Sequence, residues 1–250
     1  MGLSLEIACF NEESAVNAAD GGADRIELCQ DYQSGGLSPH PSVLQAVKSR
    51  VSIPVYVMIR PHSRGFCYDK DDFETMKATL QLMNNSGADG FVFGILHEAP
   101  HQGGDDRNSW VDLARNKELV QLATGKPCTF HRAFDCIPEC DWDIALEDIR
   151  ECGFAAILTS GGPSSTNAVD CMDGLADLVN HQSCNPGSHS QAGRRALEVI
   201  VGGGVRSTNI GVLKEKTLAT NFHSSGLSPP SEIVSITAVQ DLKQALFQHL

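Results

Sequence analysis

The chain has 250 residues, 41% of them hydrophobic and 20% charged. That is the composition of a globular protein with material for one sizeable core, and it excludes disorder as the main state. Thirty-one acidic against nineteen basic residues give a formal charge of −12, which repels phosphate backbones and anionic lipid and excludes a general nucleic-acid binder.

From the N-terminus, MGLSLEIACF has no basic segment ahead of its short apolar stretch, and no apolar run reaches the roughly 18 residues of a membrane span. Neither a span nor a secretory signal is expected, and the chain reads as cytoplasmic. In that compartment the nine cysteines, odd in number and without framework spacing, are expected as mostly reduced thiols.

Strand-like runs then recur at Leu5 to Cys9, Arg25 to Cys29, Val55 to Arg60, Gly90 to Leu96, Cys128 to Ala133, Ala155 to Ser160, Glu198 to Gly202 and Ala219 to Ser224. Each is followed by a stretch with helical spacing. Asn11 or Ser14 can cap the first helix, Pro41 suits the start of the second, and Ala238 to Leu250 reads as the last. Strands alternating with helices imply parallel pairing, and eight such units predict a single-domain (β/α)8 barrel over residues 1–250. An open doubly wound sheet would carry a glycine fingerprint in its first turn, whereas this turn reads CFNEES. Two polar segments, 97–108 and 180–195, read as surface insertions.

A barrel places its site where strands end. Alternation in RIELC turns Ile26 and Leu28 toward the helices and Arg25, Glu27 and Cys29 toward the lumen. Buried Glu27 then needs a partner, and Arg60 at the next strand end is the expected one. Two readings stay open, a structural ion pair and a pair that also touches a ligand. In FHRAFD, His131 is a candidate general acid or base, Asp135 its orienting partner and Arg132 an anion clamp. Gly202, Gly203 and Gly204, with Ser224 and Ser225, fall at the last two strand ends, where backbone N–H groups often bind anions. Tight turning is the alternative for the glycines.

Cys9 and Cys29 end neighbouring strands about 4.8 Å apart. Two thiolates would suit Cu(I); the alternative is two small buried hydrophobes. Their parity differs, since Cys9 lies on the face opposite Glu6 while Cys29 shares the face of Glu27. Cys67, Cys136 and Cys140 form no C-x-x-C motif, and His181, Cys184 and His189 fit no zinc spacing.

Taken together, RIELC with GGLSP at 35–39, VMIRP at 57–61, GADGFVFGIL at 87–96, TFHRAFD at 129–135, ILTSG at 157–161, GGG at 202–204 and NFHSS at 221–225 resemble the CutC copper homeostasis family. The resemblance runs through nearly the whole chain, in order. It implies a cytoplasmic (β/α)8 barrel that assembles as a homo-oligomer, dimer or tetramer, and is linked to copper tolerance or Cu(I) binding. Cys9 and Cys29 match the family cysteines proposed for copper. The chain departs from the family pattern at His62 to Gly65, and Val201 stands where a proline is usual. Two functions follow as expectations: Cu(I) binding through Cys9 and Cys29, or an enzyme acting on a small phosphorylated or carboxylated metabolite.

Overall fold

A computed structural model describes residues 2–102, 108–184, 197–228 and 231–248. Eight parallel strands close into a barrel. They are β1 (Ser4–Cys9), β2 (Arg25–Leu28), β3 (Val55–Met58), β4 (Gly90–Phe93), β7 (Cys128–Phe130), β8 (Ala156–Thr159), β9 (Glu198–Val201) and β10 (Asn221–Ser224). Each pairs with the next, and β10 pairs back onto β1, with Ser4 opposite Asn221 and Ile7 opposite Ser224. The predicted (β/α)8 barrel is therefore the fold.

The helices are α1 (Glu12–Asp20), α2 (Pro41–Lys48), α3 (Lys70–Asn85), α4 (Leu113–Leu122), α5 (Trp142–Cys152), α6 (Met172–Cys184), α7 (Ile210–Thr217) and α8 (Ile236–Phe247). Local chemistry explains where they start. The Asn11 side chain accepts from the Ser14 N–H, and Pro41 sits in the first turn of α2, where its missing N–H costs nothing. Asp69 and Asp72 form a reciprocal capping box on α3, and Ser235 caps α8.

Strand alternation divides the barrel wall. Leu5, Ile7, Ile26, Leu28, Val55 and Val57 join the main core with helix residues such as Leu44, Met76 and Leu80. Each such side chain contributes about 1.5–3 kcal/mol by leaving water. The lumen holds two small apolar groups instead, Cys29 with Met58 and Val92, and Ala156 with Leu158 and Ile200. Buried Glu6 and Glu27 belong to the same alternating face.

Two predicted strands end three residues early, β4 at Phe93 and β7 at Phe130. Leu96 leaves the barrel, and Arg132–Cys136 winds into a 3-10 turn directly after β7. Within the surface insertion expected over 97–108, the described residues 97–102 and 108 belong to strands. Leu96–Gln102 (β5) and Asn108–Val111 (β6) form an antiparallel pair. Buried Leu96 and Val111 face each other at its base, and the Ser109 hydroxyl donates to Asp148 on α5. In the second insertion, α6 continues to Cys184, while 185–195 lie outside the described residues. Among the described residues no helix is long and apolar enough to cross a membrane.

Candidate functional site

At the C-terminal ends of the strands lies a pocket of about 320 Å3. Most of the predicted residues line it: Glu27, Cys29, Arg60, His131, Arg132, Gly203, Gly204, Ser224 and Ser225. Cys9, Asp135 and Gly202 do not.

Arg60 does not pair with Glu27, contrary to the expectation from sequence. Its Nη1 donates to the carbonyls of Ser34, Gly35 and Gly36 at 3.2, 3.5 and 3.2 Å. Its guanidinium lies 4.9 Å over the Phe66 ring. The loop after β2 supplies a fan of acceptors within reach of one nitrogen, and those carbonyls take the charge in place of a carboxylate. Phe66 in turn meets the His131 ring edge-on, with centroids 4.7 Å apart.

The expected pairing of His131 with Asp135 is also corrected. Asp135 accepts from Arg132 Nε at 2.7 Å and from the Thr159 hydroxyl at 2.5 Å, and the Ser160 amide also donates to it. It therefore fixes Arg132, not the imidazole. His131 Nδ1 instead accepts from the Ala133 N–H at 3.3 Å, capping the 3-10 turn that follows. That assigns the ring proton to Nε2, which is buried without a partner. Burial and the nearby Arg60 charge lower the His131 pKa to about 3, so the ring is neutral at physiological pH.

Gly203 and Gly204 adopt φ of +96° and +71°. A Cβ on Gly203 would sit 3.0 Å from Ser160 Cβ and 3.4 Å from Arg132 Cζ. Glycine thus lets the β9 turn lie against the arginine. Gly202 packs on Leu158 outside the pocket lining. Ser224 is engaged with the Val205 carbonyl at 2.7 Å, whereas Ser225 Oγ is buried and unpartnered.

Cys9 and Cys29 lie in separate apolar clusters, Cys9 with the helix-facing core and Cys29 with Met58 in the lumen. Burial first, and then the Glu27 charge, push both thiols well above their usual range. Cys67, Cys136 and Cys140 are exposed free thiols. His181 is exposed on α6, and His189 lies outside the described residues.

Several pocket features were not assigned a role from sequence. His223 Nδ1 is 2.7 Å from Glu6 Oε1, and Arg25 Nε donates to Glu6 Oε2 at 2.5 Å. Burial raises the Glu6 pKa, but Arg25 and His223 more than offset it and hold the carboxyl at about 2. Burial also raises Glu27, which His223 only partly offsets. For His223, burial is outweighed by Glu27 and Glu6, and its pKa rises. Arg206 adds a third guanidinium to the lining. Period-two alternation along β1 and β10 carries the signal for Glu6 and His223; Arg206 has only its place two residues beyond Gly204.

The CutC family profile matches residues 3–228. The human copper homeostasis protein cutC homolog is 38% identical over 227 residues, spanning 91% of this chain and 74% of its own length. The mouse homolog is 40% identical over 227 residues, spanning 91% and 75%. The crystal structure of a CutC protein from Streptococcus agalactiae superposes with a TM-score of 0.77 at 24% identity, covering 89% of this chain and 98% of that one, which shows the shared barrel. Motifs in order along the sequence, the closed barrel and these matches agree: the chain belongs to the CutC family.

Proposed function

We propose that the barrel mouth binds a small phosphorylated or carboxylated metabolite and carries out general acid/base chemistry on it. One observation carries this reading. Glu27 Oε1, His131 Nε2 and Ser225 Oγ are buried, lack hydrogen-bond partners and belong to residues lining the same pocket as Arg60, Arg132 and Arg206. Buried polar atoms are ordinarily satisfied, so three around one cavity point to a polar ligand as their partner.

The roles follow from charge and protonation. Arg60, Arg132 and Arg206, with the backbone at Gly203 and Gly204, clamp the anion. Asp135 positions Arg132. Neutral His131 offers Nε2–H to a carbonyl or a developing oxyanion, a role that a neutral imidazole capping a helical turn can fill. Glu27, its pKa raised by burial, accepts or returns a proton.

The test is a thermal-shift and calorimetric screen of phosphate esters and small di- and tricarboxylates against the native chain and Arg132→Gln. A compound that raises the melting temperature of the native chain and loses affinity in the variant supports the reading. No stabilisation by any compound at millimolar concentration defeats it.

A second reading takes Cu(I) as cargo, held by Cys29 and Cys9. It is supported by the copper homeostasis names of the relatives and by the Cys29 thiol and Met58 thioether sharing one lumen cluster. Cys9 reaches that cluster only if the end of β1 leaves regular strand geometry. Residence in the cytoplasm and a dimeric or tetrameric assembly are proposed with it, from the family resemblance. Anaerobic Cu(I) competition titration of the native chain and of Cys9→Ser/Cys29→Ser tests it, and uptake unchanged by the double substitution rules it out.

A further inference from the structure

We infer that Glu27 and His223 form a binding site for a divalent transition-metal ion at the floor of the pocket, with Glu6 as its supporting carboxylate. This deepens the anion-pocket reading and rests on it. The three residues come from β2, β10 and β1, adjacent strands of the wall. One ligand atom from each lies within 4.8 Å of the others.

The orientation of the imidazole is the first argument. Glu6 Oε1 holds His223 Nδ1 at 2.7 Å, which leaves Nε2 facing Glu27 Oε2 at 3.9 Å. That separation is too long for a hydrogen bond. It suits an ion lying between the two, because zinc–nitrogen and zinc–carboxylate bonds of about 2.0–2.2 Å can together bridge it. A carboxylate behind the far nitrogen is the usual outer support of a metal-binding histidine. Arg25 completes that support: it donates to the other Glu6 oxygen and lies 4.5 Å over the Tyr56 ring, so Glu6 cannot easily swing away.

The second argument is independent of the cluster's spacing. Glu27 is only 4% exposed, and its Oε1 has no partner. A buried carboxylate oxygen left in that state is costly, and a cation beside it would satisfy it. With a neutral imidazole, the two carboxylates and Arg25 leave one negative charge, which a divalent ion turns into one positive charge. The anionic ligand of the pocket then balances it. Glu27 and His223 line the pocket whereas Glu6 does not, so the remaining coordination positions open toward that ligand, as in metal sites that retain an exchangeable position.

The donors also select the ion. One imidazole nitrogen with carboxylate oxygens suits zinc, manganese or ferrous iron; magnesium and calcium prefer oxygen alone, and Cu(I) prefers sulfur. The Cys29 thiol donates to Glu27 Oε2 at 3.6 Å, so donor type rather than place separates this site from thiol-bound copper. With the ion bound, Glu27 serves as a ligand and His131 retains the proton-donating role.

The experiment strips the full chain with chelator and titrates Co2+ by visible absorption and Zn2+ by calorimetry. Expected are one ion per chain and ligand-field bands without a thiolate charge-transfer band. Glu27→Gln and His223→Gln should weaken binding about 100-fold or more, and Glu6→Gln by about 10–100-fold at unchanged stoichiometry. Circular dichroism checks that each variant is folded, and the native spectrum decides the ligand type even if a variant is not. A thiolate band, binding below one ion per chain, or affinity unchanged in folded Glu27→Gln overturns the inference. Binding of the screened phosphate esters and carboxylates is measured separately on the stripped and the metal-loaded chain: anion binding without metal binding defeats only the ion site, whereas metal binding with no anion bound in either state defeats the pocket reading.

Discussion

The Cys29 amide donates to the Cys9 carbonyl at 2.8 Å, yet the two thiols belong to opposite faces of the barrel wall. Backbone neighbours are thus separated as ligands by side-chain parity. Cys29→Ser is expected to weaken Cu(I) binding more than Cys9→Ser, by at least tenfold between the two, in anaerobic competition titrations. Equal losses would show that the end of β1 rearranges to bring both sulfurs to one ion.

Arg206 donates from Nη1 to the Val205 carbonyl at 2.8 Å and lines the pocket with no carboxylate partner among the described residues. A charge-assisted hydrogen bond to a ligand is worth about 1.5–3 kcal/mol. Arg206→Gln should therefore weaken binding of a phosphate ester by about ten- to a hundredfold, read by calorimetry, with little change in melting temperature.

Gly203 joins a positive φ of +96° to contacts a Cβ would tighten against Ser160 and Arg132. Gly203→Ala is expected to cost about 1–3 kcal/mol of stability and to displace the Arg132 guanidinium. Chemical denaturation reads the first effect and loss of anion affinity the second.

Asp135 is buried and holds Arg132 Nε, the Thr159 hydroxyl and the Ser160 amide. Asp135→Ala leaves these donors without their acceptor and the partly exposed Arg132 held only through Nη2, which donates to the Ser160 hydroxyl and the Ser164 carbonyl. The expected loss is about 2–4 kcal/mol in denaturant unfolding, accompanied by weaker anion binding even at temperatures where the variant is fully folded.

His131 titrates near 3 when folded against an ordinary 6.5. Below pH 6.5 the unfolded chain therefore takes up a proton that the folded chain refuses, and this contribution to stability is lost as pH falls toward 3. Glu6, held at about 2, contributes in the same direction only below its ordinary 4.5. Glu27 opposes the trend but is common to native and variant. Between pH 7 and 5 the native chain should lose stability relative to His131→Asn by on the order of 2 kcal/mol. Parallel denaturation midpoints for the two chains across that range would contradict it.

The barrel was legible in the sequence because each βα unit announces itself locally, through β-branched runs, capping residues and helical spacing. The inward direction of Glu27 and Cys29 was also legible, from the alternation in RIELC. Partner choice was not. Arg60 is taken by carbonyls of a loop that the sequence marks only as glycine-rich, and Asp135 is taken by Thr159 and Ser160 from the following strand. Such pairings depend on register and loop path between distant segments, and residue type alone does not encode them. The β5–β6 pairing is hidden for a related reason: the polar, glycine-containing composition of 97–108 outweighs the buried Leu96 and Val111 at its base.

The contact between Glu6 and His223 joins residues 217 positions apart. During synthesis the first strand emerges early, but its lumen partner arrives only with the last strand of the barrel. Until that strand docks, Glu6 lacks one of its two side-chain partners, and the floor of the pocket is not assembled. The proposed ligand site is therefore a property of the finished ring, and a nascent or truncated chain that has folded most of its units should bind nothing there.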